Sequence, residues 1–312
     1  MRFFVSSDIR KNKPLFYGVL FFLAFTLFFW LASWLHFYSK YGFSKESLFR
    51  YYFVDPQFPE RISIGQLSED IHVGLFLHAM TLMVLFSLIG ITRVRFKKLL
   101  IILSSLSALL YIVSDLIIYL FGGVFLKLVS FLVYQVLFIL LWSFTLWGLT
   151  TNNGQKGSTS TVKSVSFIFS LFSLLFLLSN FLNFFVKMGF GINSISNYYL
   201  GNPELLIKRK TLEGVFKVFY PHLVSMAIYV LTLSHLLPFS KVSRKKSIFF
   251  GFSMFILSSL DNFSSLLILY MGTPVAYLKL LSFLLFQLLA LYASLLIMAA
   301  SLRREEYPAL YL

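Results

Sequence analysis

Along this chain, long apolar runs alternate with short segments that collect the lysines and arginines. Crossing a bilayer takes about 20 mostly apolar residues at the helical rise. Eight runs reach that length: residues 15–38, 72–92, 99–120, 124–149, 165–186, 218–237, 248–270 and 274–300. They lack the two-residue alternation of barrel strands. A backbone amide in hydrocarbon has no water to bond, so each run must close its hydrogen bonds within itself as a helix. The pattern predicts an all-α polytopic membrane protein with eight spans.

Cations in the short segments set the expected orientation. The N-terminal tail (Arg2, Arg10, Lys11, Lys13), the Arg93–Lys98 turn, the segment with Lys241, Arg244, Lys245 and Lys246, and the tail with Arg303 and Arg304 all fall on one side. That side is read as cytoplasmic, which puts both termini there and the chain in the cell inner membrane. The basic N-terminus precedes an apolar run too long for a signal peptide, so residues 15–38 are read as an uncleaved first span. The longest segments, 39–71 and 187–217, then form outer loops. A Gly/Ser/Thr-rich stretch, 151–162, is expected to join a repeat over 1–150 to another over 163–312.

Composition agrees. Of the 312 residues, 58% are hydrophobic and 12% charged, and the mean hydropathy is +0.83, too apolar for a soluble domain. The net charge of +15 sits between spans, where it meets lipid headgroups, so the bilayer and not nucleic acid is the expected partner. Other membrane or periplasmic subunits remain open as partners. With no cysteine, disulfides, thiolate metal sites and iron–sulfur clusters are excluded.

An internal duplication decides which polar residues stand out. Lys40, Gly42, Phe43, Tyr51, Tyr52, Asp55 and Pro56 recur at identical spacing as Lys187, Gly189, Phe190, Tyr198, Tyr199, Asn202 and Pro203. Glu69 and His78 match Glu213 and His222, and Lys127, Ser130, Phe131 and Gln135 match Lys279, Ser282, Phe283 and Gln287. Two homologous four-helix halves follow, as parallel tandem repeats. Through Tyr198–Pro203, Glu213-Gly214, Pro221-His222-Leu223, His235-Leu236-Leu237 and Asp261 with Ser264, the second half resembles small bacterial four-span membrane proteins of uncharacterised function. That resemblance implies architecture alone.

An ionisable group inside a span costs roughly 2.5 to 3.5 kcal/mol on insertion scales and calls for a reason. His78 and His222, expected in the first turns of their spans, are the leading ligand candidates for a haem b or a transition metal, with His36 as a further cofactor ligand, His72 as another and Glu69 and Glu213 as metal ligands. The bland reading caps each helix with its His. His235 follows His222 by a spacing similar to that of the stacked haem ligands of b-type cytochromes, but at 100° per residue the two rings point roughly 140° apart. It stands as a second site of its own.

The glutamates are read as preceding their helices, because nine residues of helix would turn each away from its His. Asp115, Asp261, Asn180, Asn183, Tyr52 and Tyr199 mark a polar pathway, and Ser33 shares a helix face with His36 as Asn180 does with Asn183. An outward-opening hollow between the halves would collect these groups. No soluble-enzyme motif is present and no catalytic residue is assigned. Three readings stay open: a haem- or metal-binding component for electron transfer or metal handling, a cation or proton-coupled transporter, and a non-catalytic subunit or assembly factor.

Overall fold

The computed structural model describes residues 13–54, 57–58, 60–151, 159–240 and 242–303. Arg2, Arg10, Lys11, Asp55, Pro56, Lys241, Arg304 and the linker positions 152–158 lie outside them. The described residues form ten α-helices: α1 (Lys13–Tyr41), α2 (Lys45–Tyr52), α3 (Ile64–Gly90), α4 (Lys97–Phe121), α5 (Phe125–Thr151), α6 (Thr159–Met188), α7 (Ile192–Leu200), α8 (Leu212–Leu236), α9 (Arg244–Met271) and α10 (Pro274–Leu302). The eight long ones are apolar and long enough to cross a membrane. Extended pairing among the described residues is limited to the single bridges Phe53–Arg61 and Asn202–Ile207.

Two compact units divide the described chain inside α6, one running through Phe172 and the other spanning Ser173–Arg303. In the first, α3 packs on α4 and α5, α1 packs on α5, and α2 lies against α1 and α5. In the second, α9 packs on α8 and α10, and α7 lies against α9 and α10. Burial of apolar surface does not drive association between helices in lipid, so close packing must.

The same aromatic joint does this in each unit. Phe37 stacks on Phe131 at 4.0 Å and 18°, and Phe184 stacks on Phe283 at 3.9 Å and 18°. Such pairs contribute about 0.5–1.5 kcal/mol beyond the area they cover. The following tyrosines repeat as well: Tyr51 and Tyr52 meet at 5.0 Å and 88°, as do Tyr198 and Tyr199. The duplication seen in the sequence is therefore a duplication of side-chain geometry.

Two expectations need correcting. The segments 39–71 and 187–217 are not loops throughout, since each contains a short helix. In α2, Ser44 and Ser47 close a capping box and Leu48 and Tyr52, one turn apart, bury one face. Eight residues are too few to register as a span. Second, α3 and α8 begin well before the apolar runs at 72 and 218, because Ser63 and Thr211 accept the orphan amides of Gln66 and Gly214 at 3.1 Å and 3.0 Å and start the helices there. Glu69 and Glu213 are thus inside their helices instead of ahead of them. His78 and His222 lie mid-helix, not in a first turn. Both α4 and α9 stop at a glycine, Gly122 at φ 77° and Gly272 at φ 76°, values that a side-chain-bearing residue adopts only under strain.

Candidate functional site

The charges that the bilayer makes expensive are paired. In the first unit Lys127, 1% exposed, lies 2.8 Å from Asp115 Oδ1 and donates to the Tyr111 carbonyl at 2.9 Å. Its ammonium sits 3.9 Å from the centre of the Tyr111 ring. Tyr52, at the end of α2, donates its hydroxyl to the same Asp115 carboxylate. One helical turn from the buried face of α2 thus tops the ion pair. In the second unit Lys279 lies 2.8 Å from Asp261 Oδ1 and donates to the Asp261 carbonyl at 2.8 Å.

These contacts align the two units. The carbonyl acceptors make Tyr111 the counterpart of Asp261. Asp115 is then the counterpart of Ser265, to which Tyr199 donates at 3.0 Å as Tyr52 does to Asp115. The lysine keeps its place while its carboxylate moves by one turn.

A second ion pair belongs to the first unit. Asp70 of α3 accepts from Lys40 at 2.6 Å, from Gln66 at 3.0 Å and from the Tyr51 hydroxyl. Burial first, and then the carboxylates of Asp70 and Asp115 respectively, hold the Tyr51 and Tyr52 hydroxyls well above the usual phenol range, so both remain donors. In the second unit the counterpart of Asp70 is Gly214, and Lys210 instead places its ammonium 4.6 Å from the Tyr198 ring centre.

Between α1 and α3, and floored by α4 and α5, the first unit forms a half-open cavity of about 380 Å³. Both ion pairs border it, together with Ser33, His36, Glu69, His78, Tyr134 and Gln135. His78 gives Nδ1 to the Gly74 carbonyl at 2.6 Å and meets the Tyr134 ring edge-on at 4.9 Å. Among the described residues, the buried hydroxyl of Tyr134 and Oε1 of Gln135 meet no hydrogen-bond partner. An unmet buried polar atom costs about 1–3 kcal/mol, and both of these belong to residues that line the cavity.

The remaining candidates are placed as follows. His222 bonds the Val218 carbonyl through Nδ1 at 2.8 Å, repeating the His78 bond within its own helix. Glu213 forms an exposed i, i+4 pair with Lys217 at 3.1 Å. Asn183 has an unpartnered buried Oδ1, and Asn180 lies one turn before it. His72 is buried in α3. His235, in the last turn of α8, packs edge-on to Phe239 at 6.2 Å. Among the described residues no group of three or more His, Asp or Glu is placed to hold a metal ion.

Sequence reasoning missed Lys127, Asp70, Tyr111 and Tyr134. Lys127 carried its own signal, a charge inside an apolar run, but served only as a marker of the repeat. The other three have no like residue in the second half, with Gly214, Asp261 and Phe286 standing in their places.

Two regions, residues 42–156 and 189–308, match the family model of a transmembrane helical domain. They begin on Gly42 and Gly189, the glycines that the duplication pairs. No curated protein and no solved structure matches the chain. The chain belongs to this transmembrane helical domain family and is a multi-pass integral membrane protein.

Proposed function

We propose that this member of the transmembrane helical domain family binds a small polar solute in the cavity of its first unit and carries it across the bilayer. The supporting observation is the pair of unpartnered buried atoms, Tyr134 Oη and Gln135 Oε1, beside two intramembrane ion pairs. Intramembrane ionisable groups mark solute and ion pathways because lipid alone gives no reason to keep them. A volume of about 380 Å³ falls at the small end of ligand pockets. The Asp115–Lys127 pair forms the polar floor of the route, and Lys40 with Asp70 its outer end. The cation distribution supports reading the α2 end as extracytoplasmic. A haem b or metal reading has beside it only the matched His78 and His222, each bonded to its own helix through Nδ1 with Nε2 left for a ligand, and no three-ligand metal group assembles among the described residues.

The chain has no cysteine, so a single one reports without background. In proteoliposomes, Ser33→Cys is exposed to a charged, membrane-impermeant thiol reagent from one side at a time. A carrier yields modification from each side; modification from one side alone reduces the reading to binding, and none from either side contradicts it.

A further inference from the structure

Two polar groups of the residues that line the cavity have fixed hydrogen-bonding polarity. A ring nitrogen 2.6 Å from a carbonyl oxygen must carry the proton, so His78 donates from Nδ1 to Gly74 and presents Nε2 as a lone pair. Ser33 spends its single proton on the Trp30 carbonyl at 2.7 Å. Its oxygen therefore accepts from Gln135 Nε2 at 2.7 Å, which fixes the amide and leaves Oε1, in a residue 1% exposed, as the unmet acceptor. The Tyr134 hydroxyl serves either role. Both fixed groups accept, and the cavity lining adds three carboxylates, Glu69, Asp70 and Asp115, against two lysines.

From this polarity we infer that the solute is a hydrogen-bond-donating cation: a primary ammonium group on a short apolar chain. The inference rests on the solute-binding reading above. An ammonium brings three protons to a wall of lone pairs, whereas a carboxylate would set lone pairs against lone pairs and a quaternary ammonium brings charge without a proton. The ring of Tyr134, parallel to that of Tyr111 within 6° at 5.9 Å, borders the same space, and Lys127 Nζ, 3.9 Å from the Tyr111 ring centre, is an ammonium already held in this way. Phe29, Val73 and Leu77 supply the apolar lining for the chain.

The test uses the full-length Ser33→Cys protein and four probes of similar size, n-butylammonium, 1-butanol, tetramethylammonium and butyrate, each scored by the concentration that halves the rate of thiol modification. Butylammonium is expected to protect at a concentration at least tenfold below the other three. Adding Gln135→Leu should raise that concentration at least fivefold, while Gln287→Leu, its counterpart in the second unit, leaves it unchanged. Equal protection by any other probe, or none by butylammonium, overturns the assignment. The probe series stands by itself should Gln135→Leu fail to fold. A Ser33→Cys thiol that never reacts would instead overturn the solute-binding reading itself.

Discussion

Tyr111 and Asp261 occupy the same place in the two repeats, for each gives its backbone carbonyl to the buried lysine of its unit, 2.9 Å from Lys127 and 2.8 Å from Lys279. The neutralising carboxylate is at that position in the second repeat and one turn later, at Asp115, in the first. One lysine side chain spans both turns, so a carboxylate at either position neutralises it.

This interchange can be tested directly. Asp115→Asn orphans a buried ammonium, a change that costs about 3–5 kcal/mol when one partner of a buried pair is removed. Tyr111→Asp added to Asp115→Asn restores the second-repeat arrangement and is expected to recover more than half of the loss. Thermal unfolding in detergent reads both values. A double variant as unstable as Asp115→Asn alone would show that a carboxylate at the deeper turn does not neutralise Lys127.

Removing both charges separates stability from function. Lys127→Met with Asp115→Leu leaves no unpaired ion, and replacing a buried pair by apolar residues of similar volume is often neutral or stabilising. The double variant still orphans the buried Tyr52 hydroxyl, at about 1–3 kcal/mol, so it is expected to be less destabilised than Asp115→Asn and to lack solute protection at Ser33→Cys. Full protection in a stable double variant would remove the pair from the site.

Glu213 and Asp70 should behave differently despite both sitting near a helix start. Glu213→Gln breaks only an exposed i, i+4 pair and should shift stability by less than about 0.5 kcal/mol. Asp70→Asn weakens a node that holds Lys40, Gln66 and Tyr51 together and should lower the melting temperature more. Comparing the two melting temperatures is the check, and a Glu213→Gln shift as large as that of Asp70→Asn would contradict it.

How much of this was legible in the sequence follows from what each signal measures. Hydropathy reports the length of apolar runs, and it located all eight spans because that length is what a bilayer selects. It missed the polar opening turns of α3 and α8, which Ser63 and Thr211 cap outside the apolar stretch. Repeat matching paired Tyr52 with Tyr199 and His78 with His222, and the structure shows those pairs in like bonds. The same method weights what the halves share, whereas the cavity depends on what they do not: Asp70 where the other half has Gly214, and Tyr134 where it has Phe286. The one-turn offset of Asp115 against Asp261 was legible but unread: Asp115 stands seven residues before Gly122 and Asp261 eleven before Gly272, and those helix-ending glycines give the same alignment of α4 on α9 as the lysine's carbonyl partner does.

An optical spectrum bears on the haem b reading. On the solute-binding reading, purified protein should give a flat dithionite-reduced minus oxidised difference spectrum and substoichiometric metal content. A reduced haem band, or one equivalent of a transition metal that survives dialysis, would restore His78 and His222 as ligands.

The central claim is that the space between α1 and α3 of the first unit is a hydrated, solute-sized site within the bilayer. Its most direct measurement is the rate at which a small cationic thiol reagent modifies Ser33→Cys relative to Leu106→Cys, which lies on the exposed side of α4, 58% accessible. A cysteine facing lipid stays a protonated thiol out of reach of a charged reagent, whereas one facing water reacts as thiolate. The account predicts a Ser33→Cys rate at least a hundredfold higher, and rates within threefold of each other would contradict it.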